Sequence, residues 1–223
     1  MYNTIFMIKD NIERVKERIR ASCSKTGLNP DRISIVCVAK GQPIERISEL
    51  AGLGYKDIGE NKVQEALSKF KQISGLKWHM IGHLQSNKVK EAVKIFDFIH
   101  SVDSLNLAEE INKQALKINK IQEILIEVKS SPEETKFGVL PADLEEISAE
   151  AGKLGNIKVK GLMTIAPLAG NIEETRKYFV LTRQLRDRIN PGWLLSMGMS
   201  DDFEVAIEEG ADIIRIGRAI FNG

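Results

Sequence analysis

The chain has 223 residues, 32 Lys and Arg against 31 Asp and Glu, and 43% hydrophobic residues, the profile of a globular protein whose surface carries both charge signs. Its formal net charge of +1 removes any electrostatic case for nucleic acid or an anionic membrane. Two cysteines, Cys23 and Cys37, are too few for a disulfide framework, so a reducing, cytoplasmic compartment is expected. The apolar run from Ile5 to Ile8 is too short for a signal-peptide core. Nowhere does an apolar run approach the ~18 residues of a membrane span.

In chain order, Ile5, Ile8, Ile12, Val15 and Ile19 recur at three and four residues among charges, which predicts an amphipathic helix over 3–22. After the turn Asn29-Pro30-Asp31, the β-branched run 33–39 reads as a strand buried on both faces. Helices at 43–53, 61–73 and 86–94 then alternate with strands at 56–59, 77–82 and 97–101. In the third helix, Val63, Ala66, Leu67, Phe70 and Ile73 form the inner face. The second half continues with helix 104–119, strand 121–128, helix 141–152, strand 157–162, helix 171–189, strand 193–197, helix 200–209 and strand 212–216. Ser104 ahead of Leu105, and Asn171 followed by Glu174, are helix-start signals.

Eight strands, seven intervening helices, a leading helix and a terminal stub, with no linker or composition shift, predict a single α/β domain over 1–223. The expected architecture is a (β/α)8 TIM barrel with an extra N-terminal helix and a truncated final helix. An open doubly wound sheet is the alternative, but the first loop lacks the G-x-G-x-x-G of a dinucleotide site. The leading helix is expected to cover the flank that the truncated last helix leaves bare.

In such barrels the chemistry sits at the carboxyl ends of the strands. Period-two parity sends Ser34, Val36, Val38 and Lys40 inward and leaves Ile33, Ile35, Cys37 and Ala39 for the helix layer. Lys40 is then either a desolvated, nucleophilic amine at the barrel mouth or a solvated lysine opening a loop. Ser196-Met197-Gly198-Met199-Ser200 and Arg215-Ile216-Gly217-Arg218 follow the last two strands, where barrel phosphate sites recur. They could equally be ordinary turns, and Asp201 and Asp202 would repel a phosphate unless turned away. Arg215, between Ile214 and Ile216, points inward, toward a ligand or into an ion pair with Glu60 or Glu127. His79 and His83 run from a strand into a glycine turn and do not suggest metal. No Ser-His-Asp set or Gly-x-Ser-x-Gly elbow is present, which removes the hydrolase class.

A lysine able to form a Schiff base, a phosphate cradle and a buried arginine are the parts of a pyridoxal phosphate site. From about Ile5 to Phe221 the chain resembles the pyridoxal phosphate homeostasis protein family, also described as proline synthetase co-transcribed homologues. That family has the fold type III barrel of the alanine racemase N-terminal domain. The resemblance rests on Val38-Ala39-Lys40, Gly59-Glu60-Asn61 with Val63-Gln64-Glu65, Trp78 through Lys88, Ser101 through Ser104, Gly161-Leu162-Met163, Leu195 through Asp202, and Arg215-Ile216-Gly217 with Ala219-Ile220-Phe221.

The resemblance implies pyridoxal 5'-phosphate held on Lys40 as an internal aldimine. Asn61 and Met163 would line the ring, Ser200, Gly217 and Arg218 would hold the phosphate, and Arg215 would face the pyridine nitrogen. The chain departs from the family at Gly41, where many members carry threonine, at Arg218, where they carry serine or threonine, and at Asn222. Three functions follow as alternatives: a carrier that buffers or delivers the cofactor, a racemase of the alanine racemase type, and a sugar phosphate enzyme using a Lys40 Schiff base without cofactor. The carrier is favoured, because Tyr2, Tyr55 and Tyr178 do not follow the carboxyl end of any strand, and racemisation needs a second acid/base group. The expected protein is thus a monomeric, non-enzymatic cofactor carrier, without metal, nucleic acid or membrane partners, whose acceptors are apo-enzymes. Lys136, in the loop after the fifth strand, is a further candidate for a second cofactor molecule.

Overall fold

The β-branched runs close on themselves. In the computed structural model, which describes residues 2–131, 133, 137–167 and 170–222 with side chains from Met7 onward, eight parallel strands pair in sequence order into a closed barrel. The strands are β1 (Ser34–Val38), β2 (Asp57–Glu60), β3 (Lys77–Met80), β4 (Phe98–Val102), β5 (Gln122–Glu127), β6 (Ile157–Met163), β7 (Leu194–Ser196) and β8 (Ile213–Ile216). Closure is made between β1 and β8, with Val36 opposite Arg215. The open doubly wound alternative is therefore wrong. Lys136 lies outside the described residues.

The helices are α1 (Tyr2–Thr26), α2 (Ile44–Gly52), α3 (Val63–Phe70), α4 (Val89–Ile95), α5 (Leu105–Leu116), α6 (Leu144–Gly152), α7 (Arg176–Ile189), α8 (Phe203–Glu208) and α9 (Arg218–Phe221). Parity separates two apolar layers. Val36, Phe98, Leu125, Met163 and Ile213 pack inside the barrel. Cys37, Ala39, Ile214 and Ile216 join the larger layer between strands and helices. Among the described residues no helix is long and apolar enough to cross a membrane.

α1 lies across α8 and α9, as expected for the flank left bare by a four-residue last helix. Ile8, Ile12, Val15 and Ile19 are buried there, worth on the order of 2 kcal/mol each before the entropy of ordering. The buried Asn11 amide donates to Ile220 O at 2.9 Å, and Arg18 holds Glu204 through two hydrogen bonds of 2.8 Å.

Three boundaries differ from expectation for identifiable reasons. Asn171 accepts from Glu173 N and caps a 3-10 turn, Ile172–Thr175, so α7 starts only at Arg176. Ser86–Lys88 is likewise 3-10 before α4. The helix expected from residue 200 begins at Phe203, because Gly198 (φ +91°) turns the chain tightly and Asp202 accepts Met199 N–H at 2.6 Å. A Cβ on Gly198 would lie 2.6 Å from Ala206 Cβ, so only glycine lets this loop lie against α8. Ser104 caps α5 as expected, accepting from Leu107 N.

Candidate functional site

Past the carboxyl ends of β1, β2, β6, β7 and β8 lies a cleft of about 440 Å³. Lys40, Asn61, Ser200, Arg215, Gly217 and Arg218 all line it. Met163 does not. It is fully buried in the inner barrel layer with Val36 and Phe98, and Ile165 and Ala166, beyond the end of β6, form that wall.

Lys40 sits two residues beyond the end of β1 and is exposed, so of the two readings open to the sequence the structure takes the solvated lysine. Its backbone is nonetheless fixed. Gln42 N donates to Ala39 O at 2.9 Å, and Gly41 at φ +70° supplies the left-handed residue of a type II turn, a conformation that suits glycine. Side chains from α3 clamp both flanks of Lys40: Lys69 Nζ donates to Ala39 O at 2.8 Å, and Glu65 Oε1 accepts Gly41 N–H at 2.6 Å. Lys69 also binds Glu60 at 2.6 Å and Glu65 at 2.7 Å.

Sequence reasoning missed Lys69, since a lysine on a helix reads as solvated. The signals were its place three residues after Ala66 and four after Glu65. It takes the inner position expected of Phe70, which is 41% exposed. Burial raises the Glu60 carboxyl above its usual range, opposed by Lys69. Glu65 also feels burial, but the hydrogen bonds from Lys69 and Gly41 win and hold it low.

Arg215 points inward and is 3% exposed. Its Nη1 donates to Ser196 Oγ at 2.7 Å and its Nη2 to Thr164 O at 2.8 Å. The ion pair with Glu60 is not formed, because Lys69 claims that carboxylate. Burial pulls the guanidinium down to about 10, with Asp202 and Glu127 acting in the opposite direction, so it is charged at neutral pH.

The loops after β7 and β8 meet where Ala219 N donates to Ser200 Oγ at 3.2 Å. A Cβ on Gly217 would stand 3.3 Å from Val38 Cβ, so the glycine lets this loop lie close against the end of β1. Both aspartates there are engaged: Asp201 pairs with Arg218, and Asp202 turns to Met199 N–H. Burial raises the Asp202 carboxyl, opposed by that N–H and by Arg215. Arg218 keeps 69% of its side chain in solvent, so its charge reaches the cleft through water.

His79 and His83 separate. His79 is buried inside the barrel, while His83 pairs with Asp103 at 3.1 Å and stacks on Phe137 with ring centroids 3.6 Å apart. No group of three or more His, Cys, Asp or Glu among the described residues is placed to hold a metal ion. Tyr55 stands at the amino-terminal end of the barrel and Tyr178 packs on the helix layer, both away from the cleft.

An exposed amine on a rigid turn, a guanidinium in the floor and a loop cradle at one end suit an anionic aldehyde. Asn61 Oδ1, buried without a hydrogen-bond partner on the same cleft, adds an acceptor for such a ligand. These features fit pyridoxal phosphate.

The family model for the alanine racemase N-terminal domain matches residues 7–223, which sets the class. An alanine racemase of Clostridium difficile shares the fold at 16% identity, with a TM-score of 0.75 over 96% of this chain and 56% of its own. A pyridoxal phosphate homeostasis protein of Aquifex aeolicus is 46% identical over 95% of this chain and 96% of its own. The structure of PipY from Synechococcus elongatus with pyridoxal phosphate bound superposes with a TM-score of 0.79 at 35% identity, covering 93% of this chain and 99% of that one. The chain belongs to the pyridoxal phosphate homeostasis protein family.

Proposed function

We propose that this chain holds pyridoxal 5'-phosphate reversibly on Lys40 and buffers or delivers it to apo-enzymes, without turning over amino acids. The observation that carries the reading is the single cleft shared by Lys40, Arg215 and the Ser200 and Gly217 loops. The cofactor supplies an aldehyde that bonds reversibly to a primary amine, and a phosphate that can be anchored. Lys40 provides the amine, while Ser200 Oγ and the backbone of Gly217 and Arg218 hold the phosphate. Because Lys40 is exposed, the anchored phosphate, rather than desolvation of the amine, supplies the proximity that favours bonding. The same exposure admits water and a competing amine, which suits release. Arg215, charged and facing the ring nitrogen, disfavours protonation there and makes the ring a weak electron sink.

If the cradle is assigned to the right loops, pyridoxal lacking its phosphate should bind at least about tenfold more weakly, since charge-assisted hydrogen bonds contribute about 1.5 to 3 kcal/mol each. Equal affinities, measured by equilibrium dialysis, would put the phosphate elsewhere.

The carrier reading is tested by mixing loaded protein with an apo-enzyme and following recovery of that enzyme's activity, with parallel incubation in deuterated water and a panel of L- and D-amino acids. Transfer with at most a trace of exchange at the α-carbon is expected, because loss of one positioned acid/base group costs about 10² to 10⁴ in rate. Racemisation at ~1 per second or faster, within the usual enzyme range, would favour the racemase instead.

A further inference from the structure

Inside the barrel, below the cleft, runs a file of polar side chains that cofactor binding leaves without a role. Asp57, at the start of β2, lies 3.0 Å from His79 Nε2. His79 Nδ1 is 3.0 Å from His100 Nε2, and His100 Nδ1 is 3.0 Å from Ser196 Oγ. Ser196 Oγ in turn accepts from Arg215 Nη1 at 2.7 Å. His79, His100 and Ser196 are all buried, and His100 is 0% exposed. The lower end opens on a separate pocket of about 360 Å³, at the amino-terminal ends of the strands, lined by Asp57, His79 and Phe98. The upper end is the floor of the cofactor cleft. A polar file across an otherwise apolar interior costs stability unless every member is satisfied.

Elementary donor and acceptor counting gives the file a direction. The Asp57 carboxyl is held below its usual range, chiefly by its hydrogen bond with His79 and against burial, so it is ionised at neutral pH and only accepts. His79 therefore carries a hydrogen on Nε2. The Nδ1 of a neutral ring must then accept, which requires the hydrogen of His100 to be on Nε2. Burial first, and with it the Arg215 charge, holds His100 well below the ordinary histidine range, so that ring has only one hydrogen at neutral pH. Its Nδ1 accepts from the Ser196 hydroxyl, and the Ser196 lone pairs are left for Arg215. With both rings neutral, every donor points toward Asp57 and each contact in the file is satisfied. Turning one histidine alone would set two hydrogens, or two lone pairs, against each other.

We propose that Asp57, His79, His100 and Ser196 are positioning residues for Arg215: the polarity imposed by Asp57 at the far end of the barrel gives the Ser196 hydrogen a fixed acceptor in His100 Nδ1, which orients the Ser196 lone pairs toward the guanidinium and fixes the group that faces the cofactor ring. The proposal rests on the cofactor reading above for what Arg215 faces, though not for the direction of the file.

The first arm of the test needs no cofactor. Isotope-labelled histidine in the cofactor-free protein, examined at neutral pH by long-range proton–nitrogen correlation, should show His79 and His100 neutral with their hydrogens on Nε2. A His100 hydrogen on Nδ1, or a doubly protonated His79, overturns the proposal whatever the cofactor does. The second arm uses Asp57→Asn, whose amide donates as readily as it accepts and removes the imposed direction. His100 should then populate both ring nitrogens. The visible absorption band of bound pyridoxal phosphate should move by several nanometres, and retention should fall by up to about tenfold, the worth of one neutral hydrogen bond. His100→Gln, which cuts the file in its middle, should move the band likewise and decides the matter if Asp57→Asn does not fold. A band unmoved in the folded variant overturns the proposal, since a merely structural file would change the melting temperature and leave the band alone. If the wild type itself shows no band, the cofactor reading has failed, and the histidine spectra alone decide on the file.

Discussion

Lys40→Ala protein mixed with pyridoxal phosphate should show no visible absorption band and should lose the ligand on desalting, while its circular dichroism and melting temperature stay those of the parent. Lys40 is exposed and beyond the end of β1, so removing its side chain leaves the barrel untouched. Binding then depends on the non-covalent contacts to the phosphate and the ring, which hold the ligand weakly once the covalent bond is gone. Other amines are near enough to make the assignment a genuine choice: Lys62 and Lys88 line the adjoining groove that Lys40 also borders. Borohydride reduction of the loaded parent followed by peptide mapping separates them. A label on Lys62, Lys88 or Lys136 would remove Lys40 from the role given to it.

The largest effect on stability is expected at Lys69. Lys69→Met leaves Glu60, with one oxygen already lacking a partner, buried without its cation. Breaking a buried pair from one side costs about 3 to 5 kcal/mol, which for a chain of this length lowers Tm by roughly 6 to 20 °C. Pairing Lys69→Met with Glu60→Leu should return most of that loss, because the surviving charge, rather than the missing attraction, is what destabilises. Urea unfolding of the two variants reads the difference. Since Lys69 also grips Ala39 O beside Lys40, both variants should release pyridoxal phosphate faster than the parent, even where stability is recovered. A single variant as stable as the parent would mean that Glu60 escapes its charge by protonation at little cost.

Much of the barrel was legible in the sequence because its strands are short β-branched runs set apart by turn residues, and parity along two of them aimed Val36 and Arg215 inward, where they lie opposite each other. The same reasoning brought Lys40 to the mouth. Parity could not decide whether that amine is desolvated or solvated, because a residue two steps past a strand no longer has neighbouring strands to shield it. Met163 was assigned to the cleft by resemblance alone. Lys69 left only a faint trace in its spacing from Glu65 and Ala66, and the histidine file left none, because its partners sit on different strands and His79 and His100 meet across 21 residues of chain. Neither periodicity nor spacing carries the pairing of those two histidines.

The position of α1 also bears on how the chain becomes a barrel at all. Its Asn11 bonds to a carbonyl 209 residues away, and its apolar stripe is covered by α8 and α9. α1 therefore has no place to dock until α8 and α9, far along the chain, have formed, and until then Ile8, Ile12, Val15 and Ile19 stay bare to whatever they meet. Closing so long a loop adds its entropy to the barrier before any contact returns it, which places the seating of α1 among the late events of folding. α9 follows Gly217 directly and packs on α1, so competence to capture an anion should arrive only once α1 is seated.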